Sequence, residues 1–348
     1  MELAAGTHEA SKVVLEDVIN SMPDNVVTNI LDRLPIQYAV RTSILSKKWR
    51  FKWTMLTHLV LDNKFYEYLL RLGIGNWYNV SNISILLLHL KGPITKFVLY
   101  IPNDKIFDVG AVNNWIVFLS RNGVKELTLK NMHETRLKLS THIFSCELER
   151  LMLRSCSISS PPTFCGLPNL LCLELRRVTF ESGSLGEFIT QSSLLEILRI
   201  GRLYRIGKIK LVEIAKLKNL KELFLPLCLL DHRAITSCLI VDLGSCLLNL
   251  EVLYLNFQNS QFIEDSVGRN RVSTSFPCLK RLALHEIDIS SKINLLFAFE
   301  LIQNSPKLQA LGITAKDNDV VPPPANFLSE LNSTTTECGV TFFSRFGE

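Results

Sequence analysis

Long hydrophobic runs are missing from this chain of 348 residues, although hydrophobic residues make up 47% of it. The longest run, 83–90, is interrupted by Ser84 and His89, whereas a membrane-spanning helix needs about 20 apolar residues. Residues 1–20 also lack the basic segment followed by an apolar stretch that marks a secretory signal peptide. We therefore expect a globular protein of about two domains that is neither secreted nor bound to a membrane.

Cysteine pairs with a recognisable spacing are also lacking. The nine cysteines are an odd number, no two of them form a C-x-x-C pair, and none lies near a histidine pair with zinc-ligand spacing. Because buried free cysteine is common in protein cores, we expect reduced thiols and no metal site. Reduced thiols indicate a reducing compartment, so we expect the protein in the nucleus, the cytoplasm or both.

Motifs for bond-making chemistry are absent as well. The seven histidines are scattered, and the sequence contains no nucleophile elbow, no phosphate-binding glycine loop and no dinucleotide-binding fingerprint. The nearest thing to a glycine cluster, Gly73 and Gly75, is explained by a turn. We therefore expect a protein that is not an enzyme and that uses no cofactor.

The chain has no large excess of one charge sign, since 38 Lys and Arg face 33 Asp and Glu for a formal net charge of +5. This balance gives little reason to expect a nucleic-acid partner. A basic stretch without an acid does occur at residues 41–52. We interpret it as a solvated or acid-facing surface, because that is what such charge runs usually are.

What the sequence does contain near its N-terminus is the pattern of three short helices. In the first, Val26, Ile30 and Leu34 recur at helical spacing and form one apolar stripe. The second helix is predicted over Tyr38–Leu45 and the third over Ser46–Trp53. Helices this short cannot bury all their apolar side chains among themselves, so another surface must cover them.

From about residue 56 the pattern changes to strand-sized units of the form apolar-x-x-apolar-x-apolar. From residue 124 onward the starts of successive units are 22 to 30 residues apart, in or just above the range of leucine-rich repeats. The units start at Leu56, Ile94, Val124, Leu148, Leu170, Leu195, Leu220, Leu250, Leu279 and Leu308.

Such units predict a solenoid, because one strand with its return segment cannot bury its apolar face alone. We expect a parallel sheet on the concave face and an amphipathic helix at 112–119 on the convex side. Charged x positions such as Glu174 and Glu196 are predicted to point outward, where they could contact a partner. Cys156 and Cys228 occupy the repeat position of Asn or Cys, so we expect both thiols to point inward.

The N-terminal segment resembles an F-box. The resemblance rests on Met22–Asp24, the pair Leu34–Pro35, the run Ser46–Arg50 and the closing Trp53. The family opening is usually Leu-Pro, and Met22 is a conservative departure from it. With its repeats, the chain is similar to the plant F-box/leucine-rich-repeat group that often ends in an FBD segment. After Ile313 the sequence does not read as a full FBD segment.

This resemblance implies an α/β chain with a short three-helix F-box followed by a leucine-rich repeat solenoid. We predict a flexible leader at 1–15, the F-box at 16–55, the solenoid at 56–315 and an irregular tail at 316–348. The residues expected to bind the adaptor are Met22, Pro23, Val26, Ile30, Leu31, Leu34, Pro35, Val40, Ile44, Leu45 and Trp49.

The function that the resemblance implies is substrate recognition for a ubiquitin ligase. The F-box would dock on a Skp-type adaptor, which links it to cullin and RING subunits, and the repeats would hold a target protein that the sequence does not identify. A second hypothesis is an F-box-type receptor for a small-molecule ligand in the repeats, as in related hormone receptors. Its basis here is one local basic cluster, formed by Arg199, Arg202, Arg205, Lys208 and Lys210.

Overall fold

The computed structural model describes residues 21–161, 164, 166–182, 185–201, 209–230, 243–244, 246–260, 276–316 and 341–342. The predicted leader at 1–15 and most of the predicted tail lie outside these ranges. Within them, no helix has the length and apolar character needed to cross a bilayer. The same residues contain no group of three His, Cys, Asp or Glu side chains that could hold a metal ion.

The main sheet is parallel throughout and has eleven strands among the described residues. Neighbouring strands follow the order of the chain, as expected for stacked repeats. Its strands are β1 (His58–Leu61), β2 (Lys96–Ile101), β3 (Glu126–Asn131), β5 (Arg150–Arg154), β7 (Cys172–Arg176), β9 (Ile197–Ile200), β10 (Glu222–Pro226), β11 (Val252–Asn256), β12 (Arg281–Ile287), β13 (Ala310–Ala315) and β14 (Thr341–Phe342). A second sheet holds β4 (Leu137–Lys138), β6 (Cys156–Ser159) and β8 (Thr179–Ser182).

The register of the main sheet aligns the same position of each repeat. This ladder of aligned apolar side chains is at most 2% exposed at every position, so it forms the floor of one continuous core. The ladder consists of Leu59, Phe97, Leu127, Leu151, Leu173, Leu198, Leu223, Leu253, Leu282 and Leu311. The predicted α/β solenoid with a parallel sheet is confirmed.

Short helices lie between the strands. Those that follow β1 and β2 start at side-chain caps, since Asp62, Asn79 and Asp108 each accept a hydrogen bond from a backbone amide three residues on. The described helices are α1 (Asp24–Leu31), α2 (Ile36–Arg41), α3 (Asn63–Arg71), α4 (Val80–His89), α5 (Val109–Arg121), α6 (Leu185–Thr190), α7 (Leu211–Ile214) and α8 (Lys292–Gln303). Helix α5 contains the amphipathic stretch predicted at 112–119, and its apolar residues are buried.

The N-terminal segment differs from the three helices predicted for it. Helix α2 ends at Arg41 and continues as a 3-10 turn, Thr42–Ile44. The predicted third helix, Ser46–Trp53, is a series of turns followed by a 3-10 helix at Lys52–Met55. The run of cations from Lys47 to Lys52 favours this outcome, because like charges three and four residues apart destabilise an α-helix.

Two residues with a left-handed backbone conformation lie where the chain passes from the main sheet to the second sheet. Ser155 lies between β5 and β6 with φ 51°, and Arg177 lies between β7 and β8 with φ 55°. A positive φ is uncommon outside glycine, so these residues mark a sharp change of chain direction. The turn after each main strand therefore moves the chain into the second sheet in two successive repeats.

One expectation about an individual solenoid side chain was wrong. Cys156 is fully buried and its thiol donates to the carbonyl of Arg154, but Cys228 is exposed, because a 3-10 turn at Leu227–Leu229 buries Leu227 instead. Glu174 alternates with Leu173 and Leu175 and so lies on the outer face of β7, but it is only 5% exposed because Arg176 and Arg199 pair with it. Within the predicted tail the structure describes the two-residue strand β14, which pairs with β13.

Candidate partner-binding surface at the N-terminus

Helix α1 separates its apolar side chains onto two faces. Val27 and Leu31 point into the core, with exposed fractions of 3% and 0%. Val26 and Ile30, one residue earlier in each case, are 41% and 40% exposed. One face of the helix therefore joins the N-terminal segment to the solenoid core, and the other is left apolar and open.

The open apolar side chains continue beyond α1. We call this set the hook surface, and its most exposed members are Ile44 at 83% and Leu45 at 58%. Single exposed leucines are ordinary, but a group of large apolar side chains in one short segment indicates a binding site. The hook surface consists of Met22, Pro23, Val26, Ile30, Leu34, Pro35, Ile44 and Leu45, of which Met22 is half-buried.

Three of the predicted contact residues lie elsewhere. Leu31 is fully buried and Trp49 is 5% exposed, so both are part of the chain's own core and support the hook surface from beneath. Val40 is partly buried and lines a cavity beside α2. The F-box resemblance, which gave Leu31 and Leu34 a common role, does not distinguish the inner face of a short helix from its outer face.

Sequence reasoning also missed exposed apolar residues in the same segment. Tyr38 is 47% exposed, Phe51 64% and Met55 42%. The guanidinium of Arg50 lies 5.9 Å from the ring centre of Phe51. Phe51 lies within the stretch predicted as the third helix, and Met55 lies two residues beyond it. Because this stretch forms turns and a 3-10 helix instead, the predicted helical pattern gave no indication that the two side chains are exposed.

Asp32 attaches the hook surface to the solenoid. Its carboxylate accepts hydrogen bonds from the Thr57 backbone amide at 2.9 Å, from the Thr57 hydroxyl at 2.6 Å and from the His58 amide at 3.2 Å. Thr57 immediately precedes β1, so the end of α1 is bound directly to the first strand. This fixes the orientation of the hook surface relative to the repeats.

An ion pair forms at the N-terminal end of α1. The Lys52 ammonium group donates to the Asp24 carboxylate, which lies in the first turn of the helix. This hydrogen bond and the charge of Lys52 lower the pKa of Asp24 below its ordinary value. Lys52 therefore belongs to the N-terminal fold, and the exposed cations of the basic stretch are Arg41, Lys47, Lys48 and Arg50.

A cavity of about 440 Å³ lies between the N-terminal segment and the first repeats. The Trp53 ring contacts the His89 ring at a centroid distance of 6.2 Å, and the Oε1 atom of Gln37 has no hydrogen-bond partner in the described residues. The lining is mostly apolar and consists of Ile36, Gln37, Val40, Trp53, Phe65, Leu69, Ile74, Trp77, Asn82, Ile85, Leu86 and His89.

Of the basic cluster that suggested a small-molecule receptor, the structure describes Arg199 and the exposed Lys210. Arg202, Arg205 and Lys208 lie outside the described residues. Arg199 is bound to the Glu222 carboxylate at 2.7 Å and lies 3.7 Å from that of Glu174. Its charge is therefore already compensated within the sheet.

Comparison with known proteins identifies similar sequences over both parts of the chain. The model of the F-box domain matches residues 19–60. A model described as the leucine-rich repeats of FBD-associated F-box protein At5g56370 matches residues 112–216. The first match covers α1, α2 and β1, and the second extends from α5 to just beyond α7.

Individual relatives come from Arabidopsis thaliana. F-box/FBD/LRR-repeat protein At1g13570 is 30% identical over 324 residues, which is 86% of this chain and 76% of that protein. FBD-associated F-box protein At5g38590 is 29% identical over 186 residues, covering 53% of this chain and 44% of its own length. F-box/LRR-repeat protein At4g14103 is 31% identical over 184 residues, with coverage of 49% and 45%. The alignments with these last two proteins span about half of their length.

Proposed function

The chain belongs to the plant F-box/leucine-rich-repeat family, and on this basis we propose that it is the substrate-recognition adaptor of an SCF-type (Skp-cullin-F-box) ubiquitin ligase. The hook surface binds a Skp-type adaptor, and through it the cullin and RING subunits. The repeats bind the protein to be ubiquitinated. The chain itself is a non-catalytic subunit, and ubiquitin transfer is carried out by the other subunits.

The observation that supports this proposal most is the exposure of the hook surface. Ile44 and Leu45 are 83% and 58% exposed, while the residues beneath them are in the core. Burying apolar surface is worth about 25 cal/mol per Å², so a groove that covers these side chains would gain affinity mainly from them. The hydrogen bonds of Asp32 also favour binding, because they hold the hook surface in one orientation before the adaptor binds. This reduces the entropy lost on association.

The apolar side chains of the strands have a different role. The ladder of leucines is buried by the stacking of repeats, so the solenoid is complete without the adaptor. The charged and aromatic side chains on the other face of the sheet are available to a target. Binding of the adaptor and binding of the target therefore take place on separate surfaces.

We also propose that this function is carried out in the nucleus, the cytoplasm or both. The cysteines that the structure describes are all free thiols, and burial raises the pKa of Cys146 to about 11 and that of Cys156 to about 12. Thiols of this kind remain protonated and unreactive at neutral pH. They suit a reducing compartment.

Affinity purification from plant cells with the proteasome blocked tests the proposal as a whole. The intact chain is compared with a Leu45→Asp variant, which changes the hook surface and leaves the repeats intact. Ligase subunits should be recovered with the intact chain and lost from the variant, while target proteins should be recovered with both. Recovery of the same ligase subunits with both chains would contradict the proposed role of the hook surface.

A further inference from the structure

The open face of the main sheet is the face whose side chains alternate with the buried leucine ladder. Most cations on or beside it are paired with an acid of a neighbouring repeat, which is the favourable arrangement for directly opposed side chains. These pairs are Lys96–Glu126 at 2.9 Å, Lys125–Glu149 at 2.9 Å, Lys221–Glu196 at 2.8 Å and Lys280–Glu251 at 3.0 Å.

One row of the open face departs from this arrangement. Lys130, Arg154 and Arg176 lie directly opposite one another on β3, β5 and β7. Neighbouring strands are about 4.8 Å apart, so the three cations lie within about 10 Å. Arg176 is paired with Glu174 at 2.9 Å. Lys130 and Arg154 have no salt bridge to any acid in the part of the chain that the structure describes.

This cationic row does not stabilise the fold. Like charges that are directly opposed on neighbouring strands destabilise a sheet, by up to about 1 kcal/mol for each pair. The alternating pairs elsewhere on the sheet show that the same scaffold readily accommodates an acid opposite a cation. Lys130 and Arg154, the two cations of this row without an ion pair in the described residues, therefore suit an anionic group that comes from outside the chain.

Aromatic side chains extend the open face from the cationic row toward the C-terminal repeats. The rings of Phe224 and Tyr254 stack with centroids 5.2 Å apart, and the Tyr254 ring stacks with that of His285 at 5.9 Å. Burial and the negative charge of Glu286 raise the pKa of Tyr254 to about 12. Arg199 connects the aromatic side chains to the cationic row, because its guanidinium lies 5.1 Å from the ring centre of Phe224 and 3.7 Å from the Glu174 carboxylate, which also pairs with Arg176.

We propose that this surface binds an extended acidic segment of the target protein, with carboxylates at Lys130 and Arg154 and an apolar side chain at Phe224 and Tyr254. The inference rests on the proposed function and adds the chemistry of the target. Arg154 and Tyr254 are separated by four strand spacings, which is about 19 Å. An extended peptide covers that distance in about six residues, so the acids and the apolar residue should be that far apart in the target.

Fluorescence anisotropy with a synthetic peptide tests the proposal on the full chain purified together with a Skp-type adaptor. The labelled peptide carries a run of Asp and Glu and, about six residues later, a Phe. The double variant Lys130→Glu/Arg154→Glu should bind this peptide about tenfold more weakly or worse, because two attractive contacts become repulsive. Lys130→Gln/Arg154→Gln serves as a milder second variant if the reversed one does not fold, and it should also weaken binding.

The matched control is Lys91→Glu/Arg121→Glu, which makes the same change in net charge at exposed positions away from the row. It should bind the acidic peptide as the unmodified chain does, and a peptide with Asn and Gln in place of the acids should bind to neither. Equal peptide affinity of the two reversed variants, or binding of inorganic polyphosphate but not of the peptide, would overturn the inference. Adaptor co-elution is measured in the same samples, so its loss from the unmodified chain would count against the proposed function instead.

Discussion

The Asp32 carboxylate accepts hydrogen bonds from both the backbone amide and the side-chain hydroxyl of Thr57, at 2.9 and 2.6 Å. Asp32 ends the first helix of the F-box, and Thr57 precedes the first strand of the solenoid. Two parts of the chain that the sequence suggests as separate segments are therefore joined through one side chain. The hook surface is held in place by the repeat that follows it.

Asp32→Ala should destabilise the whole chain and not the F-box alone. The substitution leaves the Thr57 amide and hydroxyl without their acceptor, and such a loss costs about 1 to 3 kcal/mol. Urea denaturation followed by tryptophan fluorescence and by circular dichroism measures the change in the free energy of unfolding. Asp24→Ala is the control, because this exposed carboxylate only pairs with Lys52 and should contribute little. Equal stability of the two variants would argue against the Asp32 connection.

Tyr78→Phe should weaken the pairing of the first two strands. The Tyr78 side chain is fully buried, and burial raises its pKa well above the ordinary value. Its hydroxyl has one proton to donate and lies 2.8 Å from the carbonyl oxygen of Leu61 and 2.6 Å from that of Tyr100. Losing this donor should cost about 1 to 3 kcal/mol in the free energy of unfolding. Thermal denaturation measures it, with Tyr68→Phe as the control. A Tyr78→Phe variant that melts at the temperature of the unmodified chain would show that these contacts contribute nothing.

Leu223→Ala should destabilise the solenoid far more than Lys221→Ala. Leu223 is fully buried in the aligned ladder, and deleting such a side chain costs about 2 to 5 kcal/mol. Lys221 makes one partly exposed ion pair with Glu196, which is worth about 1 kcal/mol or less. Chemical denaturation of both variants provides the comparison. A smaller effect for Leu223 than for Lys221 would contradict the leucine-ladder core.

Glu174→Lys should be strongly destabilising, whereas Glu196→Lys should be mild. The Glu174 side chain is 7% exposed and lies between Arg176 and Arg199, so a lysine there would be a buried cation next to two others. A buried charge left without an opposite partner costs about 3 to 5 kcal/mol. Glu196 is much more exposed, and its replacement faces Lys221 at a cost of about 1 kcal/mol or less. Differential scanning fluorimetry should show a large drop in Tm for the first variant alone.

The sequence predicts the ten repeated strands well, because each carries apolar residues at fixed positions that only a stacked sheet can bury. Leu173 and Leu223, for example, are each the second residue of the strand expected for them. The burial of Glu174 could not be predicted in this way. The low exposure of Glu174 depends on Arg199 of the neighbouring strand β9, which lies close to its carboxylate. The alternating pattern along a single strand predicts only that a charged residue at this position lies outside the core.

In the N-terminal segment, too, the sequence does not predict which side chains are buried. The F-box motif predicts which apolar residues matter, but not that Leu31 and Trp49 face inward while Ile44 and Leu45 face solvent. That division arises from contact with the first repeat, where Asp32 fixes the angle of the helix. A motif describes residue types along the chain, whereas exposure depends on what packs against them.

The central claim is that the hook surface binds a Skp-type adaptor, and a matched pair of substitutions tests it most directly. Leu45 and Leu248 are 58% and 56% exposed, so replacing either with Asp removes a similar apolar surface, but only Leu45 belongs to the hook surface. Titration of each full-length variant with a purified Skp-type adaptor in a calorimeter gives the affinity. The account predicts that Leu45→Asp weakens binding by about 2 kcal/mol or more, roughly thirtyfold, and that Leu248→Asp binds like the unmodified chain. Equal affinities for the two variants, both folded, would contradict it.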